Sequence, residues 1–121
     1  MHVRRLLLRH FRFTVHMMLA IGYVRVSTGQ QAEEGVSLAA QAEKVRAMAI
    51  VQGAELVEVI VDGGESAKSM KRPGLKRVLD MVDAGKVQAV IVGKLDRLTR
   101  SVKDLGELLE LFERRGVALI P

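Results

Sequence analysis

The chain has 121 residues, enough to bury one modest core and too few for two independent ones. With 49% hydrophobic and 27% charged residues it has the balance of a folded domain, and the absence of cysteine excludes disulfides, thiolate catalysis and thiolate metal sites together, as expected in a reducing, cytoplasmic setting. The formal charge of +5 suggests a nucleic-acid partner, but Arg4, Arg5, Arg9 and Arg12 supply four of those charges within an acid-free stretch of residues 1–18, so convergence of cations matters more than their sum.

Residues 1–18 are basic and apolar, the profile of a leader or an amphipathic surface helix. The stretch has no small-residue cleavage site and no apolar run of about 18 residues, so neither secretion nor membrane association is expected. It is read as a basic extension and a non-native start, with Met17 or Met18 as the initiator, and the domain is expected over 19–121. All three histidines, His2, His10 and His16, lie in the extension, which leaves the body without an imidazole base or metal ligand.

LAIGYVRV, Leu19 to Val26, predicts a strand that ends at the turn-forming Ser27-Thr28-Gly29. Ser37 predicts the cap of a helix to about Gln52, with Leu38, Ala42, Val45 and Met48 or Ala49 on one face and Gly53 as its stop. ELVEVIVD, Glu55 to Asp62, predicts a second strand, followed by a loop over 63–71. Pro73 predicts the first turn of a helix to about Ala84, and Val87 to Gly93 a strand apolar enough to be covered on both faces. The last helix is predicted from Leu95 or Arg97 to Arg115, on the spacing of Leu98, Val102, Leu105, Leu109 and Phe112, with VALI opening another strand. Strands alternating with helices predict a three-layer α/β fold with a mostly parallel central sheet and helices on both faces.

In such sheets functional groups collect beyond the carboxyl ends of the strands, where Ser27, Asp62 and the segment from Lys94 to Arg100 all fall. Arg97, Arg100 and Lys103 are spaced three apart at the amino end of the predicted last helix, where the macrodipole disfavours each cation by ~0.3–1 kcal/mol. Asp96, within reach of Arg100, offsets part of this, and a bound phosphate would offset the rest; a solvated basic face with one ion pair is the plainer reading. Arg25 precedes Ser27 by two residues in a strand, so both point to one face, and an inward arginine needs an anionic partner. Arg72 adds a guanidinium beside the 63–71 loop, Asp62 either orients an arginine or caps a turn, and Gln31 and Gln41 are polar helpers.

Together these residues fit phosphoryl transfer to a serine. Arginine forks bind two phosphate oxygens at once and stay charged, while the hydroxyl must be positioned in line with the departing oxygen. Without a histidine in the body, deprotonation of Ser27 has to come from an arginine cluster lowering its pKa, from Asp62 or from the substrate.

IGYVRVST around Ser27, VDGGESAK around Asp62, KRPGL around Arg72 and KLDRLTRS from Lys94 to Ser101 occur in order and, with the helix spacing, cover nearly everything from Ile21 to Ile120. In these motifs the chain resembles the serine recombinases, the resolvase and DNA-invertase group with its large integrase-like relatives. The resemblance implies Ser27 as nucleophile, Arg25, Arg72, Arg97 and Arg100 as phosphate-binding and activating groups, and Tyr23, Gln31, Gln41, Asp62 and Asp96 as supports. It further implies a covalent 5′-phosphoserine bond to double-stranded DNA, strand exchange and DNA integration or inversion within homodimers and tetramers, and no metal or nucleotide cofactor. Ending as a strand begins, the chain is expected to be a catalytic-domain fragment without the family's long helix and DNA-binding part, with little recombination of its own.

Three rivals stand beside this reading. A non-catalytic α/β phosphate-binding or regulatory module would use the same loops, although the chain has neither G-x-G-x-x-G nor G-x-x-x-x-G-K-[ST], and Arg25 and Ser27 stand where a receiver needs acids. A remnant would only interfere with an intact recombinase. A metal-dependent nuclease would draw on Asp62, Asp80, Asp83 and Asp96, of which Asp80 and Asp83 read as surface acids on a helix.

Overall fold

The computed structural model describes residues 17–26, 38–63, 72–93, 98, 99 and 101–121. Strands β1 (Met18–Val26), β2 (Ala54–Gly63), β3 (Ala89–Val92) and β4 (Ala118–Ile120) form one sheet in the order β2-β1-β3-β4, with every neighbouring pair parallel. Helices α1 (Leu38–Val51), α2 (Pro73–Asp83) and α3 (Val102–Arg115) alternate with the strands.

The two faces of the sheet follow from the alternation of side chains along a strand. Ala20 and Val24 of β1 face α1, packing with Ala89 and Ile91 against Val45 and Ala49. Ile21 and Tyr23 point the other way, with Val90 and Val92, into a core closed by Leu75, Val78 and Val82 of α2 and by Leu108 and Phe112 of α3. Covered on both sides, all four residues of β3 are buried. This is the predicted three-layer α/β arrangement.

The buried face of α1 differs by one position from the one predicted: Gln41, Val45 and Ala49 are buried, whereas Ala42 is only partly covered. Gly22 explains the seating, because a Cβ there would lie 2.5 Å from Val45 Cγ1. The helix therefore sits closest to β1 at Val45, and Gln41 and Ala49 follow one turn to either side.

The last helix begins at Val102, well after the predicted Leu95 or Arg97. Ser101 is its cap: its Oγ accepts the Asp104 amide at 3.2 Å, and the Ser101 amide donates to Thr99 Oγ1 at 3.0 Å. Leu98 is buried ahead of the helix, in a turn, so the apolar spacing that appeared to carry the helix back through it belongs to two kinds of structure. Val102, at 86% exposure, and Leu109, at 45%, lie off the core face, which Leu108 and Phe112 form instead. Gly116, in the left-handed region at φ 66°, closes the helix.

Arg97 and Arg100 precede the helix, and only Lys103 lies in its first turn, next to Asp104.

Candidate functional site

Five of the predicted site residues fall within the described residues: Tyr23, Arg25, Gln41, Asp62 and Arg72. Ser27, Gln31, Asp96, Arg97 and Arg100 lie outside them, as does the predicted cap Ser37.

The five are gathered at the carboxyl end of β1. Tyr23 and Arg25 are alternate residues of that strand, and Asp62 stands opposite Arg25 in the β1–β2 register. Arg72 enters from the amino end of α2, with its guanidinium 5.7 Å from the centre of the Tyr23 ring. Arg25 and Arg72 are each only 1% exposed, the two largest fully buried side chains among the described residues. Guanidinium groups rarely leave water without anionic or carbonyl partners, so their burial marks this corner as built around charge.

Asp62 organises it. Both carboxylate oxygens accept hydrogen bonds: Oδ1 from the Gly74 amide at 2.8 Å, Oδ2 from the Leu75 amide at 2.9 Å and from the Tyr23 hydroxyl at 2.7 Å. The two amides are free donors of the first turn of α2, whose own cap position, Arg72, offers no side-chain cap. A strand carboxylate thus caps the helix from a distance, and the positive end of the helix dipole favours its charge. Gly74 makes the approach possible, because a Cβ there would lie 2.7 Å from the carboxylate carbon. By capping α2, Asp62 also sets the start of the helix where Arg72 projects.

Tyr23 is held as a neutral phenol. Burial is the main cause, the hydrogen bond to Asp62 adds to it, and the nearby charges of Arg72 and Arg25 oppose without reversing it, so its pKa stands well above the ordinary 10.0. A phenol so held donates a hydrogen bond and is poorly suited to attack phosphorus itself. Arg72 also donates through Nη2 to the Leu98 carbonyl, which ties α2 to the turn before α3.

Gln41 is more than a helper. Its Oε1 accepts the Arg25 amide at 3.3 Å and its Nε2 donates to the Arg25 carbonyl at 3.2 Å, so a side-chain amide takes up both backbone groups of Arg25. Pairing of β1 with β3 ends at Tyr23 and Val92, just short of this point.

Two contributors were not predicted. Gly74 had a signal, its place directly after Pro73 at a helix start beside an acid-bearing strand end. The Leu98 carbonyl had none, since a backbone acceptor has no residue identity. Of the acids weighed as metal ligands, Asp96 lies outside the described residues and the other three are dispersed: Asp80 pairs with Lys76 and Asp83 with Arg115 on the surface, while Asp62 is committed to the opposite end of α2.

Residues 20–120 match the family model described as Resolvase, N terminal domain. The chain is 37% identical over 99 residues to the DNA-invertase of Escherichia phage P1, covering 82% of this chain and 46% of that protein. It is 35% identical over 100 residues to the transposon Tn552 resolvase of Staphylococcus aureus, covering 83% of this chain and 44% of the relative. The chain therefore spans about half the length of these relatives or slightly less. Among solved structures it is similar to the N-terminal catalytic domain of TP901-1 integrase, with a TM-score of 0.78 and 33% identity over 84% of this chain and 76% of that one. A resolvase family site-specific recombinase from Streptococcus pneumoniae is similar at a TM-score of 0.69 and 36% identity, over 85% of this chain and 70% of that one. With the fold, the motifs and these matches in agreement, the chain belongs to the resolvase family of serine recombinases.

Proposed function

We propose that the chain carries the phosphoryl-transfer centre of a site-specific DNA recombinase, with Ser27 as nucleophile. Ser27 Oγ attacks the phosphorus of a DNA phosphodiester; the Oγ–P bond forms as the P–O3′ bond breaks. The products are a 5′-phosphoserine and a 3′-hydroxyl, which receives the proton. The reverse attack by a 3′-hydroxyl rejoins DNA, and because the covalent bond conserves the phosphodiester energy, the cycle calls for no nucleotide cofactor.

Arg25, Arg72, Arg97 and Arg100 hold and neutralise the phosphate oxygens, and Tyr23, Gln31, Gln41, Asp62 and Asp96 support them. The observation that carries the proposal is the burial of Arg25 and Arg72 at one strand end, around a tyrosine kept neutral and two residues before Ser27 in the chain. Asp62 uses both oxygens in capping α2 and in the bond to Tyr23; the guanidinium groups, already protonated, stabilise the charge that develops on the Ser27 oxygen, and its proton passes to the substrate. The partners proposed are double-stranded DNA and further copies of the chain, as dimers and tetramers.

A target-independent probe tests the chemistry. Bis(4-nitrophenyl) phosphate offers a diester whose leaving group needs no protein acid; attack by Ser27 releases 4-nitrophenolate and leaves an aryl phosphoserine. A single-turnover burst that survives EDTA and vanishes in Ser27→Ala is expected. A burst that persists in Ser27→Ala, or that EDTA abolishes, contradicts the proposal.

A further inference from the structure

Gln41 and Lys44 lie three residues apart on α1 and are therefore neighbours on its surface. Gln41 holds the backbone of Arg25 on β1, as described above. Lys44, which the proposed chemistry does not use, reaches the next strand: its Nζ donates to the Gly93 carbonyl at 3.3 Å, directly beyond the end of β3. One helix thus grips the carboxyl ends of the two central strands. Ser27 follows the first grip by two residues, and the Lys94 to Arg100 segment follows the second without a gap.

The grip has a built distance. Gly22 lets Val45 seat against β1, since a Cβ would meet Val45 Cγ1 at 2.5 Å, and Val45 is the residue next to Lys44. The Lys44 stem also lies across Gly93, with Cδ 3.9 Å from the place a Cβ would occupy. The bond from Lys44 crosses from α1 to the residue after β3, so it joins two elements that are distant in sequence.

We propose that Lys44 is a positioning residue of the phosphoryl-transfer centre, acting through the Gly93 carbonyl to fix the carboxyl end of β3, from which the chain continues into Lys94 to Arg100. The inference rests on the function proposed above and adds a residue to it. Lys44 does not touch the phosphate.

Wild type, Lys44→Met and Lys44→Arg are compared in the bis(4-nitrophenyl) phosphate burst, in thermal melting and in amide hydrogen exchange. Lys44→Met is expected to slow the saturated burst about tenfold, the scale of a modest misplacement of reacting groups. The half-saturating probe concentration and the melting temperature stay at wild-type values, and exchange rises in the peptide 93–99. Lys44→Arg restores both rate and protection. Unchanged exchange across 93–99 in Lys44→Met overturns the inference, and so does a salt-dependent rise in half-saturation at constant rate, which would mean that Lys44 contacts the anion directly. A wild type without any burst removes the phosphoryl-transfer reading, and the exchange measurement then still decides whether Lys44 anchors the segment.

Discussion

Asp62 shows how one residue can join a strand end to a helix start. Its carboxylate accepts three hydrogen bonds in a buried place, two of them from the amides that start α2. Asp62→Asn keeps the shape but leaves one acceptor oxygen and turns donors toward donors, so it is expected to lose about 3 kcal/mol of stability in urea titration, whereas Tyr23→Phe loses about 1 kcal/mol. Tyr23 is the single tyrosine of the chain, so its ionisation can be followed by ultraviolet absorbance without interference. Burial and Asp62 raise its pKa above the ordinary 10.0, which means the folded protein binds that proton more tightly than the unfolded chain does. Its contribution to stability is complete below about pH 10 and is lost as pH rises through the folded value. A titration midpoint well above 10 is expected, with a shallower alkaline loss of stability in Tyr23→Phe; a midpoint at the ordinary value would contradict the buried Tyr23–Asp62 pair.

At the scale of elements, the amino ends of α2 and α3 carry the design. In α2 the cap is remote, and Gly74→Ala would press a methyl group into the Asp62 carboxylate, so it is expected to destabilise by about 1–3 kcal/mol. In α3 the cap is local, and Ser101→Ala is expected to cost about 1 kcal/mol. Phe112→Ala, in the core, should cost about 3–5 kcal/mol. Val102→Ser, on the surface, should stay within about 0.5 kcal/mol. The Val102 result discriminates between the observed helix and the one predicted from apolar spacing, in which Val102 was a core residue.

The predicted and observed starts of α3 differ for a physical reason. Leu98 and Phe112 are both buried, and spacing alone cannot tell a leucine buried in a turn from one buried in a helix. The Ser101-to-Asp104 pattern was available as a cap signal and outweighs that spacing once the serine oxygen has an amide to accept. Similarly, Ala42 looked like the inward residue of α1, and Gln41 is buried instead because its partners, the amide and carbonyl of Arg25, are sixteen residues away in sequence.

For the whole molecule, most of the architecture was legible. Apolar runs of strand length between helix-period segments predict a parallel sheet with helices on both faces, and β2, α2 and β3 lie within a few residues of their expected limits. Strand order was not legible from the chain, since it depends on crossovers rather than on local pattern. The convergence of Tyr23, Arg25, Asp62 and Arg72 was legible in outline, through the rule that sites gather beyond strand ends. The division of labour among them was not, because it rests on main-chain donors and acceptors that every residue possesses. Among the described residues no helix is long and apolar enough to cross a membrane.

In the proposed chemistry, buried guanidinium groups at the carboxyl end of β1 activate one serine hydroxyl toward a phosphodiester. Tandem mass spectrometry of the protein after reaction with bis(4-nitrophenyl) phosphate locates the atom that becomes phosphorylated. A single aryl phosphate ester on Ser27, lost in both Arg25→Gln and Arg72→Gln variants, is the predicted result; label on Tyr23 or Ser101, or a Ser27 label that persists without either arginine, would contradict the account.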